Sequence, residues 1–246
     1  MTFTEFLNNG FIGNILSGGG GMSGAKFTAL YITAFVVSIV AGYLFGSINT
    51  AIIISRVVYG TDIRTQGSKN AGMTNMLRVY GKKAAIFTLL GDLFKTFFTF
   101  VAGTVVFGVR GAYFACFMCI VGHIFPVFYR FRGGKGVAAA AMMVLLLDPI
   151  VFLILLVIFI IIVVGTKYVS LGSIIVAGLY PIIHDSIYRA TAVGWSGAGL
   201  ITVLTAALII WRHAPNIKRL SNKTEPKLSI GKSKNKNIGG GNSDGK

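Results

Sequence analysis

Acidic residues are scarce: the 246-residue chain holds 7 Asp and Glu against 23 Lys and Arg, for a formal net charge of +16. No two acids are neighbours and the three histidines stand at no ligand spacing, so no metal site is expected. Charge of either sign is thin as well, at 12% of residues against roughly 25% in a soluble domain. That shortage, beside 54% hydrophobic residues, excludes an ordinary soluble globular domain. Cysteine is confined to Cys116 and Cys119, both inside the apolar run YFACFMCIVG. A redox or metal-binding Cys-x-x-Cys would need exposure or further ligands, and the run supplies neither, so the thiols are expected buried in a membrane helix. The N-terminus, with Glu5 and two Asn where a secretory signal would place a basic region and an apolar run, does not read as a signal peptide.

What is present is a series of apolar blocks: Phe27–Ile54, Ala84–Val109, Ala112–Phe128, Val137–Leu147, Ile150–Val164, Val169–Ile183 and Gly194–Trp211. These predict an all-α, polytopic transmembrane bundle of about seven spans, some of them short or half helices. A helix needs about 20 residues to cross a hydrocarbon layer of about 30 Å. The block from Val137 to Leu147 falls short of that and is read as a half helix, or as one arm of a pair broken at Asp148-Pro149. If all seven cross, 19 of the 23 basic residues fall on one side. The positive-inside rule then puts the C-terminus and these loops in the cytoplasm and the N-terminus outside. The expected organisation is a flexible extension over 1–26, a membrane domain over 27–227 and a disordered basic tail over 228–246. The tail invites contact with anionic lipid, and no nucleic-acid module or aromatic interleaving accompanies it.

The chemistry concentrates in the loops on the basic side. GTDIRTQGSKNAGMTNMLRVYGKK, residues 60–83, supplies hydroxyls from Ser68 and Thr74, amides from Asn70 and Asn75, and the guanidinium of Arg78, a donor-rich set suited to phosphate oxygens. An ordinary polar loop is the competing reading. GHIFPVFYRFRGGKGVA, residues 122–138, places Gly133, Gly134, Lys135 and Gly136 before an apolar segment, which would offer unpaired N–H groups and a helix N-terminus to an anion. It lacks the spacing of a nucleotide P-loop, and a positive-inside stop signal at a tight turn competes with the anion reading. In the stretch from Trp211 to Lys227, His213 and Asn216 lie three apart, on one helix face, and Glu225 could orient a base or pair with Arg219. Within the spans, Asp92 and Lys95 are spaced to pair, either as a functional site or as a structural ion pair.

Taken together, GSINT, DIRTQGSKNAGMTN-x-x-R, GKK, DLFK, GHIFPVFYRFRGGKGVA, KYVSLGS and RHAPNIKRL resemble, in order, the bacterial acyl-phosphate-dependent glycerol-3-phosphate 1-acyltransferases, integral membrane enzymes of phospholipid synthesis. The family carries GSGN-x-GATN-x-x-R, F-x-GGKGVAT and HR-x-NI-x-RL-x-x-G-x-E. Departures are Lys69 for Gly, Met73 for Ala, Asn49 for a frequent Pro and Ala139 for Thr, and Lys69 sits where glycine would permit a conformation that lysine disfavours.

The resemblance implies transfer of a fatty acyl group from acyl phosphate to the 1-hydroxyl of glycerol 3-phosphate, giving lysophosphatidic acid and inorganic phosphate, with no cofactor. Carried over by position, Ser68, Arg78, Lys135, His213 and Asn216 are the catalytic candidates. Asn70, Thr74, Asn75, Ser170, Ser173 and the glycines Gly133, Gly134 and Gly136 are the substrate-binding ones. The implied partners are the two substrates, membrane lipid and, transiently, the enzyme that supplies acyl phosphate. Because acyl phosphate is already activated, orientation and charge stabilisation carry the mechanism, and the hydroxyl proton goes to a substrate phosphate oxygen in preference to His213. A solute transporter would place polar groups at mid-membrane in repeated halves, and none are seen. CDP-alcohol phosphotransferases need clustered aspartates, and thioester-dependent acyltransferases need a His-x-x-x-x-Asp motif; both are missing.

Overall fold

The 18 residues PIVFLILLVIFIIIVVGT carry no charge and no polar stripe, and a helix apolar all round must sit in lipid or in a core. Here lipid is the answer, since Ile161 and Val164 are 66% and 71% exposed. The computed structural model describes residues 9–11, 24–190 and 198–228. Its regular elements are helices: α1 Gly24–Ser47, α2 Thr50–Tyr59, α3 Met73–Tyr80, α4 Lys82–Ile124, α5 Val137–Leu147, α6 Pro149–Thr166, α7 Val169–Ala190, α8 Ala198–Arg212 and α9 Ala214–Ser221. Short 3-10 turns occupy Ile63–Thr65 and Val127–Tyr129. Nearly all of the expected extension (1–26) and tail (228–246), and the start of the last apolar block, lie outside the described residues.

By length and composition, four described stretches can cross a membrane, and α8 with α9, bent by 55°, makes a fifth. One of the four, Lys82–Tyr129, is 48 residues long because α4 folds back on itself at Phe107 and Gly108, where φ and ψ leave the helical region. Gly103 lies against Gly111 and Lys95 against His123, as expected of two antiparallel arms. The predicted blocks around Val109 are therefore two spans. α5 has 11 residues, roughly 17 Å at 1.5 Å per residue, and cannot cross alone. It is one arm of a pair broken at Asp148, which closes α5 and opens α6.

Small residues bring α1 and the second arm of α4 into backbone contact. A Cβ on Gly42 would meet Ala115 O at 2.6 Å, and one on Gly122 would meet Tyr43 O at 2.2 Å. Such contacts let dispersion hold helices together where lipid removes the hydrophobic drive. Cys116 and Cys119 are buried as free thiols, as the apolar run around them predicts, and both face Thr96 on the first arm of α4. A second apolar core, with Cys116, Ile120, Met143, Val151 and Ile209, joins α4, α5, α6 and α8.

Asp92 and Lys95 do pair, at 2.9 Å, and the pair is part of a larger knot. Lys95 Nζ also donates to the carbonyls of Gly46 at 3.2 Å and Ile48 at 2.9 Å, where α1 ends and leaves acceptors without intrahelical partners. His123 Nδ1 lies 2.8 Å from the same ammonium. One residue later Asn49 caps α2, accepting from Ile52 N at 3.1 Å, a use for asparagine at a position where the family often has proline. Lys95→Met should leave the Asp92 carboxylate buried with only His123 Nδ1, 3.4 Å away, beside it, a loss of about 3–5 kcal/mol. Thermal unfolding in detergent should show a lowered midpoint for Lys95→Met and a smaller loss for the double variant Asp92→Asn/Lys95→Met.

Candidate functional site

Four connections gather at one end of the bundle. In the first, Asp62 caps the 3-10 turn by accepting from Arg64 N, and the Arg64 guanidinium beside it holds the carboxyl well below the usual carboxylate range. Arg64 then reaches across to the carbonyls of Tyr129 at 2.8 Å and Arg132 at 3.0 Å, latching the first loop onto the second. Asn75, 1% exposed, is the internal brace of this loop. Its amide donates to the carbonyls of Gln66 and Asn70, each at 3.0 Å, and its oxygen accepts from Ser68 N at 2.9 Å. Lys69, which replaces the family's glycine, takes φ +60. The loop therefore keeps the left-handed turn at a steric cost of roughly 1–2 kcal/mol. Lys223, at the glycine position of the last motif, does the same with φ +57.

The second loop corrects one expectation. Gly133 and Gly134 do not offer free N–H groups, because their amides donate to Ile124 O and His123 O, both at 3.1 Å. What they supply is room: a Cβ on Gly133 would lie 2.0 Å from His123 O and one on Gly134 2.1 Å from His123 Nε2. The loop thus packs against the end of α4, and neither glycine lines the cavity described below. Gly136 fits the anion reading better, turning at φ +80 as the residue before α5 and lining the cavity with Val137 and Ala138. The amides of that first helical turn have no intrahelical acceptor, so the helix start, unlike the two glycines, has N–H groups to offer an anion.

The third and fourth connections are tied through Glu225. Its carboxylate accepts from Ser170 Oγ at 2.7 Å, Asn216 Nδ2 at 2.6 Å and Arg219 Nε at 2.7 Å. Burial alone would raise this carboxyl, but the three donors outweigh it and hold it below its ordinary value. Lys135 Nζ donates to Asn216 Oδ1. Burial pushes the Lys135 ammonium down to about 8, with Arg219, Arg212 and Arg78 adding to the effect and Glu225 opposing it. Ser173 bonds back to Val169 O within its helix. His213 Nδ1 lies 2.8 Å from Ile209 O, and a carbonyl can only accept. Nδ1 therefore carries the proton, and the neutral ring keeps Nε2 as an acceptor. Leu228 N donates to Lys167 O at 2.7 Å and folds the segment after α9 over the mouth.

These groups surround one cavity of about 480 Å³. Ser68, Asn70, Thr74, Asn75, Arg78, Lys135, Gly136, Ser170, Ser173, His213 and Asn216 all line it. Its deeper part is apolar, walled by Val144, Phe152, Leu155, Phe159, Val176 and Ala177. Reasoning from sequence did not include Arg219, His123 or Asp92 among the site residues, although all three reach the cavity wall, and Glu225 was open between two roles. The three-residue spacing of Asp92 and Lys95 was the available signal for that pair. His123 stood inside the GHIFPVFYRFRGGKGVA motif, but no spacing tied it to Asp92 or Lys95.

A family model of glycerol-3-phosphate acyltransferases matches residues 36–223. The chain belongs to that family. Relatives called glycerol-3-phosphate acyltransferase include one from Finegoldia magna, 41% identical over 198 residues, covering 80% of this chain and 98% of the relative. Another, from Clostridioides difficile, is 41% identical over 204 residues, covering 80% and 97%. Among solved structures the chain is similar to PlsY (YgiH), described as an integral membrane glycerol 3-phosphate acyltransferase, in its glycerol 3-phosphate form. That match has a TM-score of 0.71 at 31% identity, over 79% of this chain and 96% of the other. The lysophosphatidic acid form gives a TM-score of 0.69. As a member of this family the protein is an acyltransferase built as a polytopic membrane bundle.

Lys135 is cationic below about pH 8 and neutral above it. Affinity for a phosphate monoester should therefore be full below that pH and fall as pH rises through it, approaching tenfold per unit. Lys135→Arg should remove the fall, because a guanidinium stays charged. Glu225→Gln should move it to lower pH by removing the carboxylate that favours the ammonium. Isothermal titration with glycerol 3-phosphate from pH 6 to 10 reads all three.

Proposed function

We propose that the protein transfers a fatty acyl group from acyl phosphate to the 1-hydroxyl of sn-glycerol 3-phosphate, releasing inorganic phosphate and forming lysophosphatidic acid. The observation that carries this reading is the single cavity in which a cationic, amide-rich end opens into an apolar one. A phosphate and an alkyl chain can occupy it together, and both the acyl donor and the product contain that pair. Orientation follows from charge: 19 basic residues on the loop side favour a cytoplasmic face in the bacterial cell membrane, with the N-terminus outside. A transient approach by the enzyme that makes acyl phosphate belongs to the same face.

In this reading Arg78, Lys135, Ser68 and the first amides of α5 hold phosphate oxygens, with Asn70 and Thr74 beside them. Asn75 acts through the loop that it braces. Asn216 and Ser170 hold Glu225, which in turn keeps Lys135 charged, and Ser173 faces the same space. His213 accepts from a glycerol hydroxyl through Nε2 and orients it. The hydroxyl oxygen bonds to the acyl carbon, the bond from that carbon to the phosphate oxygen breaks, and the proton ends on the departing phosphate. Cations already in place at that oxygen stabilise the charge that develops on it.

Purified protein in detergent, given palmitoyl phosphate, should release phosphate only when glycerol 3-phosphate is also present. Lys135→Ala should lower kcat/KM by roughly 10²-fold or more. No release from folded protein with any acyl phosphate would defeat the reading. His213→Asn should act mainly on KM for glycerol 3-phosphate, whereas a true general base would cost about 10²–10⁴ in kcat at unchanged KM.

A further inference from the structure

The apolar part of the cavity has an end. Its deepest wall residues are Val144 on α5, Phe152 on α6, Tyr180 on α7 and Thr205 on α8. The next turn of each helix, at Leu147, Pro149, His184 and Thr202, lies outside it. Three of the four wall residues are nearly inaccessible: Val144, Tyr180 and Thr205 are 5%, 3% and 1% exposed. Beneath them a separate polar cluster closes the bundle. Asp148, where α5 breaks into α6, accepts from the hydroxyls of Tyr113 at 2.8 Å, Tyr180 at 3.1 Å and Tyr188 at 3.0 Å. His184 Nδ1 stands 3.4 Å from the same carboxylate. Tyr180 alone among these belongs to both groups, with its residue on the cavity wall and its hydroxyl tied to the cluster below.

The depth is set by helix geometry. From Ser170, beside the cationic end, to Tyr180 is ten residues of one helix, roughly 15 Å. Half of a hydrocarbon layer of about 30 Å is also about 15 Å, the depth that the chains of one leaflet fill. A chain entering from the phosphate end meets the Tyr180 ring after about that distance. The ring cannot swing aside without breaking its hydrogen bond to Asp148 in a buried, low-dielectric place, where an unsatisfied hydroxyl and carboxylate oxygen are costly.

We propose that Tyr180, pinned by Asp148 at the closed end of the apolar compartment, sets the length of acyl chain that the enzyme accepts. The inference rests on the acyl-phosphate reading above. Each methylene that fits is worth about 0.8 kcal/mol, so a misfit of two should cost roughly tenfold in kcat/KM.

The experiment compares kcat/KM for acyl phosphates from dodecanoyl to eicosanoyl, with glycerol 3-phosphate as acceptor. Wild type should show a steep fall beyond one length. Tyr180→Ala should move that fall to longer chains, raising the ratio of long-chain to short-chain kcat/KM by roughly tenfold. Tyr180→Phe, which keeps the ring, should retain the wild-type optimum. Ala177→Leu, one turn nearer the mouth, should move the optimum to shorter chains, and it decides the matter if Tyr180→Ala does not fold. An unchanged length profile in active Tyr180→Ala and Ala177→Leu would overturn the proposal, since the chain must then leave sideways into lipid. Failure of the underlying reading looks different: wild type would turn over no acyl phosphate of any length.

Discussion

One buried ammonium holds the loop end of the bundle together. Lys95 has three N–H bonds to give, and four groups from three directions converge on them: the Asp92 carboxylate, His123 Nδ1 and the carbonyls of Gly46 and Ile48. Taking an ammonium out of water costs several kcal/mol, which only a complete set of partners offsets. The partners belong to the end of α1 and to both arms of α4, so satisfying the charge fixes how those three segments meet. His123 carries the constraint onward, because the Gly133-Gly134 turn lies directly on it. Lys135 and the start of α5 follow within three residues. The position of the helix start that lines the cavity is therefore inherited from an ion pair on the far side of a histidine.

The amphipathic cavity follows from how the chain crosses. Because α4 doubles back and α5 and α6 form a second broken pair, every connection rich in Gly, Ser, Asn and Lys returns to the same end. Arg64 binds the first loop to the second, Lys135 and Asn216 bind the second to the fourth, and Glu225 with Ser170 binds the fourth to the third. Helix walls between these loops and the Asp148 cluster carry almost only apolar side chains. A charged mouth above an oily compartment is then a product of topology. Left-handed backbone at non-glycine residues is confined, among the described residues, to the connections, at Lys69, Arg130, Phe131, Lys167 and Lys223, and Lys69 and Lys223 stand at glycine positions of the family motifs.

The apolar spans, the gathering of basic loops and the residues around the cavity were legible because each has a local signature, whereas the short helices α2, α3 and α9 were not. Apolar blocks separated by polar loops mark the spans, charge asymmetry marks the loop side, and the Gly-rich motifs mark the mouth. The break at Asp148-Pro149 was legible for the same reason, proline having no N–H to continue a helix. What misled was the reading of Gly133 and Gly134 as open amides. A glycine pair before a helix looks the same in sequence whether it admits a ligand or admits a neighbouring backbone, and here the neighbour is His123. Glu225 was open between two roles because its value depends on Ser170, 55 positions away, and no spacing rule links them. The tyrosines around Asp148 were invisible for the same reason: they come from separate helices, and each looks like an ordinary aromatic in an apolar run.

The cationic end also has an energetic logic. Lys135, Arg78, Arg212 and Arg219 crowd the mouth with Glu225 as the one carboxylate among them, and Asp92 is already taken by Lys95. Holding Lys135 at about 8 in place of its ordinary 10.5 corresponds to roughly 3 kcal/mol set against its charged form. That cost is a property of the empty mouth. A phosphate dianion entering it supplies the missing negative charge, relieves the crowding and raises the Lys135 pKa, so anion binding near pH 8 must take up a proton. Linkage makes two effects equal in size: the rise in the Lys135 pKa on binding equals, on a logarithmic scale, the anion's preference for the protein with Lys135 charged. Burial is the largest cause of the lowered Lys135 pKa and the three arginines add to it, so Glu225, the one carboxylate that opposes them, sets how far the ammonium is held down before any anion arrives.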